Sequence, residues 1–328
     1  MLSESSEESD SSEYDAWEHR CADAFDDLRR GLVVLLVDDS LTFYVDASAN
    51  PFSEKSPNAP LLHTLGGYIG SVGSWRQFRK EWRTELKRKG LEFFHMTDFE
   101  RDQNATLTGK PISRKSPYRG WACEDFRPFL QRLHRVINRK KSDGSFRLEA
   151  FISSIVRPDF EETMLDELRD SPGCVSTYMF NVGVNMESIA MWADKRNYFG
   201  PIHYVFAGGD GEGGNLEKWF TRLWQSNNAR KRFRLSKGYS RLGYDIQWMR
   251  AEPALQAADI AAFEFLKAAL KHAENGAGVQ PDLRELRKSL ANLCQTRHNG
   301  KLLTGPQLVK SFAGMLEFRK KYGSEFVD

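Results

Sequence analysis

Three carboxylates stand where a carboxylate needs a reason. Asp46 ends the β-branched and aromatic run Thr42-Phe43-Tyr44-Val45 and is followed by a turn of small residues, 47–51. Asp210 follows the apolar run 202–207 in a glycine-rich turn that also holds Glu212. Asp259 lies inside 254–270, where nearly every residue is an apolar helix former. Burying an ionised Asp there is costly unless it is hydrogen-bonded, paired or bound to a metal. If the first two acids leave neighbouring parallel strands, and the third descends from a helix over the same edge, all three open on one crevice. Carboxylates gathered there repel one another unless a divalent cation separates them, and hard oxygen donors favour Mg²⁺ or Mn²⁺. The chemistry such a set suits is phosphodiester hydrolysis. Taken singly, each acid is also an ordinary turn former or helix cap.

His95 sits among Phe93, Phe94, Met96 and Phe99, a setting that suits a core histidine as well as one that moves a proton or orients a phosphate. The turn Gly209-x-Gly211-x-Gly213 resembles a dinucleotide loop only superficially, because its two acids would repel a pyrophosphate and its spacing differs. Its expected role is to let Asp210 and Glu212 point into the site. Cys21, Cys123, Cys174 and Cys294 are scattered without a Cys-x-x-Cys pair, which argues against a zinc knuckle and a disulfide framework.

The charge pattern names a class of partner. The chain has 328 residues and a formal net charge of +2, yet residues 1–28 carry ten acids against one arginine, which leaves +11 on the rest. A basic body suits a polyanion such as RNA or DNA. One basic tract is a helix face bearing Arg76, Arg79, Lys80, Arg83 and Lys87, opposite the apolar Trp75, Phe78, Trp82 and Leu86. Another is Arg230, Lys231, Arg232, Arg234 and Lys237, interleaved with Phe233 and Tyr239. Each fits phosphate contacts or a solvated face. A third basic segment, 101–120, holds Gly and Pro and reads as a flexible loop.

Residues 1–30 read as a largely disordered acidic tail, either solubilising or an arm for a protein partner. The early apolar run 32–37 is too short for a bilayer and lacks a signal peptide's layout, so a soluble, cytoplasmic protein without membrane contact is expected.

The elements that must position the acids follow from periodicity and turn residues. Strands 42–46 and 61–71 pair as an antiparallel hairpin, kinked at Gly66-Gly67. Helix 74–89 follows, then an extended piece from 91 that enters a helix capped by Thr97 or Asp98. Helix 124–141, strand 146–156, helices 159–169 and 178–195, strand 202–207 and helix 216–224 come next. Strand 244–249 feeds the Asp259 helix, which Pro253 opens, and helices 282–295 and 306–322 close the chain. That order predicts one α/β domain over 31–328, a mixed central sheet flanked by helices with a helical C-terminal extension from 281.

Four segments also carry a resemblance. Thr42-Phe43-Tyr44-Val45-Asp46-Ala47-Ser48, Gly67-Tyr68-Ile69, Phe94-His95-Met96-Thr97-Asp98-Phe99 and Leu255-Gln256-Ala257-Ala258-Asp259, in this order, resemble the bacterial domain of unknown function 3800 family over about residues 42–270. The resemblance implies a ribonuclease H-like sheet, an acidic site of Asp46, Asp210 and Asp259 with Gln256 in support, and nuclease activity. Asp98 belongs to the family's His-containing segment, beside His95. Ala47 stands where the family has a Glu, an acid that Glu212 or another acid would have to replace. Without it, the alternative is a nucleic-acid- or partner-binding module that keeps the fold and has lost the chemistry.

Overall fold

Alternation along β1 (Leu41–Ala49) sends Tyr44 to one side of a sheet and Phe43 and Val45 to the other, and each side is covered by helices. The structure, a computed structural model, describes residues 40–49, 62–164, 166, 176–208, 213–236, 244–274, 298–304, 306 and 308–313. With β1, five further strands build a mixed six-stranded sheet: β2 (Leu62–Ser71), β3 (Glu149–Val156), β4 (Ile202–Ala207), β5 (Tyr244–Gln247) and β6 (His298–Leu303). The order is β5-β4-β1-β2-β3-β6. β2 pairs antiparallel with both β1 and β3, whereas β4 runs parallel to β1, β5 to β4, and β6 to β3.

On the Tyr44 side lie α1 (Val72–Arg88), α2 (Met96–Leu107), α3 (Cys123–Ile137) and α8 (Pro253–Glu274). α1 begins where the Ser71 hydroxyl accepts the Ser74 amide at 3.2 Å, and Trp75, Phe78, Trp82 and Leu86 form its buried stripe. α4 (Arg157–Thr163) is short and packs Phe160 against Phe180 and Phe312. The Phe43 and Val45 side is covered by α5 (Thr177–Lys195) and α6 (Gly213–Gln225), with α7 (Asn227–Arg232) beside them. α5 is pinned by buried polar contacts: Ser153 Oγ donates to Asn181 Oδ1 at 2.7 Å, and Asn185 Nδ2 donates to Ser153 Oγ and the Leu65 carbonyl. These groups satisfy one another, which fixes the helix on the sheet.

Several expectations need correction. The flexible loop expected over 101–120 starts only after α2 ends at Leu107, and its Ser116 is hydrogen-bonded to Asp102 of that helix. β2 is not kinked at its glycines, because its register with β1 and β3 runs unbroken through Gly66 and Gly67. Gly66 instead admits α8: an added Cβ would lie 3.0 Å from the Ala262 backbone. The C-terminal region is not purely helical, since β6 joins the sheet beside β3; its sequence, His-Asn-Gly-Lys-Leu-Leu, lacks the alternation that marks a strand. Residues 308–313 are helical as expected, whereas helix 282–295, the acidic tail and the run 32–37 fall outside the described residues. Among the described residues no helix is long and apolar enough to cross a membrane.

Candidate functional site

α8 explains how a carboxylate survives in an apolar helix. Asp259 is 4% exposed, and its Oδ2 accepts the backbone amide of Met96 at 2.6 Å. Met96 opens α2, whose N-cap position is held by His95 without a side-chain capping bond. Asp259 therefore does from another helix what a local cap would do, and it meets the positive end of the helix dipole. The expected cap by Thr97 or Asp98 does not occur, because the helix starts before either residue. Burial pushes the Asp259 carboxyl up to about 6, against the opposing pull of His95 and the Met96 amide, while Asp98 adds to the rise. Its other oxygen, Oδ1, accepts no hydrogen bond among the described residues.

Gln256, one turn earlier on α8, holds the segment leading into α2. Its Oε1 accepts from Trp82 Nε1 at 2.8 Å and from the Phe94 amide at 3.0 Å, and its Nε2 donates to the Met249 carbonyl at 3.1 Å. Gln256 and Asp259 thus fasten Phe94 and Met96, the two neighbours of His95. The His95 side chain is 35% exposed, and its Nδ1 lies 3.0 Å from Asp98 Oδ2. Asp98 Oδ1 accepts from Arg101 at 2.8 Å. Arg101 also donates to the buried Asp102, whose second oxygen accepts from the Ser116 hydroxyl. Tyr118 is fully buried against Phe99, Trp121 and Phe126; burial is the main cause that drives its phenol well above the usual value, opposed by the nearby His95 backbone, and the charges of Asp98, Asp259 and Asp102 add to the rise.

Asp46 does not end β1 as expected: the strand runs on to Ala49, still paired with β2, in place of the turn expected from 47, and the Asp46 Oδ1 accepts the Ala47 amide at 2.8 Å. Period-two alternation puts it on Tyr44's side of the sheet, the side that α8 covers, and its partner across β2 is Gly66, the residue α8 touches. The neighbouring strand β4 is parallel and paired up to Val45 opposite Phe206, so its exit and that of β1 face the same way. Asp210 and Glu212, which follow that exit, lie outside the described residues. Among the described residues no three His, Cys, Asp or Glu side chains are grouped as a metal site. Asp46 and Asp259 share a face of the sheet, and the groups that set the Asp259 carboxyl are those of α2 and the His95 that precedes it.

The chain matches no protein-family model, no curated protein and no solved structure.

The basic tracts divide sharply. On α1, Arg76, Lys80, Arg83 and Lys87 are exposed, but Arg79 is not a surface charge: it forms a two-pronged pair with Glu252 (2.9 and 3.0 Å) and donates to the Tyr44 hydroxyl. Glu252 in turn accepts the Ala254 amide at 2.9 Å and so caps α8. In the second tract Arg232 pairs with Glu187 and Asp194 of α5, and Arg234 with Asp194 and the Tyr198 carbonyl. Arg230 lies over the Trp224 ring and donates to Asn227. Lys231 is exposed, and Lys237 lies outside the described residues. Ser116, Tyr118, Asp102 and Glu252 are site neighbours for which the sequence carries only a weak signal, an acid or hydroxyl in an otherwise polar stretch.

Proposed function

We propose that the chain is a ribonuclease H-like, divalent-metal-dependent nuclease that hydrolyses phosphodiester bonds of RNA or DNA, with Asp46, Asp210 and Asp259 as its carboxylates. The observation that carries this reading is that Asp46 and Asp259 lie on one face of a mixed sheet, with Asp46 directly after the last β1 residue paired to the parallel β4, beside the carboxyl end of that strand. Open α/β sheets bind their ligands at such carboxyl ends. The antiparallel β1–β2 pair and the parallel β1–β4 neighbour also support this reading.

The described donors fit Mg²⁺ or Mn²⁺ in kind: Asp46 and the unengaged Oδ1 of Asp259 are hard oxygens, and Asp210 and Glu212 would add theirs. A bound cation would activate water and neutralise charge on the phosphate. The chain's own residues then set position. Asp98 orients the His95 ring through Nδ1, which leaves Nε2 of a half-exposed imidazole able to take or give a proton at the edge of the site. In the reaction the water oxygen forms the new bond to phosphorus and the ester P–O bond breaks, leaving a phosphate end and a hydroxyl end.

The test is cleavage of RNA and DNA, single-stranded and duplex, in Mn²⁺. Wild type should cut at least one, and Asp46→Asn and Asp259→Asn should not. Absence of cutting by wild type, with no heat in a Mn²⁺ titration, would overturn the reading. One observation favours a second reading, a binding module without chemistry: Gln256 and Asp259 both hold the backbone around His95 through direct hydrogen bonds, a structural duty of their own. That reading expects nucleic-acid binding unaffected by EDTA.

A further inference from the structure

The segment between α2 and α3 carries Lys110, Arg114, Lys115 and Arg119 and no acid between them. All four side chains are exposed, and none makes an ion pair or side-chain hydrogen bond among the described residues. This sets them apart from Arg232 and Arg234, which are neutralised by Glu187 and Asp194. Four like charges held close together repel one another, so an ordered arrangement of them needs bracing.

The bracing is visible. The segment turns at both ends through glycines with positive φ, Gly109 (66°) and Gly120 (85°). The Ser116 hydroxyl donates to the buried Asp102 carboxylate and accepts the Tyr118 amide at 3.0 Å. Tyr118 is fully buried and packs edge-on against Phe99 of the first turn of α2 at 5.4 Å. The segment is therefore tied from the C-terminal end of α2 back to its first turn, and it lies antiparallel along the helix. α2 has 12 residues, about 18 Å at the usual rise. Lys110 stands at the far end of that length, its amide on the Ala105 carbonyl at 2.8 Å, and Arg119 follows the tyrosine that packs on Phe99 in the first turn.

We propose that residues 108–120 form a pre-built arm that grips successive phosphates of a nucleic-acid strand and leads it along α2 to the His95 and Asp259 end. This rests on the reading of that end as a site acting on nucleic acid, and it names the surface that binds the substrate. A row of unpaired cations on a rigid brace fits a regularly charged backbone, whose recognition by cations is sequence-independent.

The experiment measures binding of the full chain to labelled single-stranded and duplex oligonucleotides in EDTA, over a range of KCl. The variant combines Lys110→Gln, Arg114→Gln, Lys115→Gln and Arg119→Gln, none of them buried, and its thermal midpoint is checked against wild type. The plot of log affinity against log salt should become shallower by about 0.7 to 0.9 for each phosphate the arm no longer neutralises, about 3 for the set, with at least a roughly tenfold drop in affinity at low salt. An unchanged slope and affinity would overturn the arm even if wild type cleaves. Arm-dependent binding without cleavage in Mn²⁺ would support the arm and overturn the nuclease reading. Tighter arm-dependent binding of polyglutamate than of either oligonucleotide would overturn the assignment in favour of an acidic protein partner.

Discussion

The Oδ2 of Asp259 accepts the Met96 amide at 2.6 Å, so a carboxylate on α8 caps α2 across 163 positions of chain. The buried position has a measurable cost, because burial holds this carboxyl up to about 6 in spite of that bond, whereas an Asp in an unfolded chain titrates near ~3.9. Between those values the folded chain binds the proton and the unfolded chain does not, so stability falls as pH rises through that window and stays lower above it. Asp259→Asn keeps an acceptor for Met96 but has no charge to bury. In EDTA, urea denaturation from acid to neutral pH should show wild type losing on the order of 2 to 3 kcal/mol relative to the variant. Two parallel curves would mean that Asp259 is not buried as a charge.

Gln256 serves three partners at once. Gln256→Leu leaves the Trp82 indole N–H, the Phe94 amide and the Met249 carbonyl without their bonds. Leaving a buried group unsatisfied costs about 1 to 3 kcal/mol. A loss of about 3 kcal/mol or more in urea denaturation is expected, and a loss under about 1 kcal/mol would show that water replaces the side chain.

Arg79 and Arg76 are neighbours on α1 with different duties. Arg79→Gln breaks the pair with Glu252 and the bond to Tyr44, and should destabilise by about 3 kcal/mol while leaving the salt dependence of nucleic-acid binding unchanged. Arg76→Gln should leave stability within about 0.5 kcal/mol. A flattened salt slope in the Arg79 variant would return that residue to the binding surface.

These residues mark what a sequence can disclose. That a carboxylate at position 259 of an apolar helix requires a partner is legible from residue types alone, as are the β1–β2 pair and the parallel placement of β4. The identity of the partner is not, because Met96 and Asp259 meet only through the packing of α2 on α8. The tract 230–234 has the composition of a phosphate-binding patch, but Glu187 and Asp194 come to it from α5, and the alignment of two distant helices leaves no local trace. β6 escaped notice for another reason: His-Asn-Gly-Lys-Leu-Leu holds no apolar residue before Leu302, so it shows no period of two to read.

Gly66→Ala tests the contact that sets α8 on the sheet. The new methyl group would stand 3.0 Å from the Ala262 backbone, and relief requires backbone movement rather than a rotamer change. A cost of about 1 to 3 kcal/mol is expected. Gly73→Ala, with nothing within 4 Å of its added carbon, should be neutral or stabilising by about 0.5 to 1 kcal/mol. Equal midpoints for the two variants would show that α8 is free to shift.

At Gly66 the helix that carries Asp259 touches the sheet backbone to backbone, directly opposite Asp46. No side chain acts as a spacer there, so the height of α8 above β1 is a property of main-chain thickness. Evolution can alter the two acids or their surroundings freely, but it cannot tune the gap between their supports in small steps; the smallest change open to Gly66 is a whole methyl group.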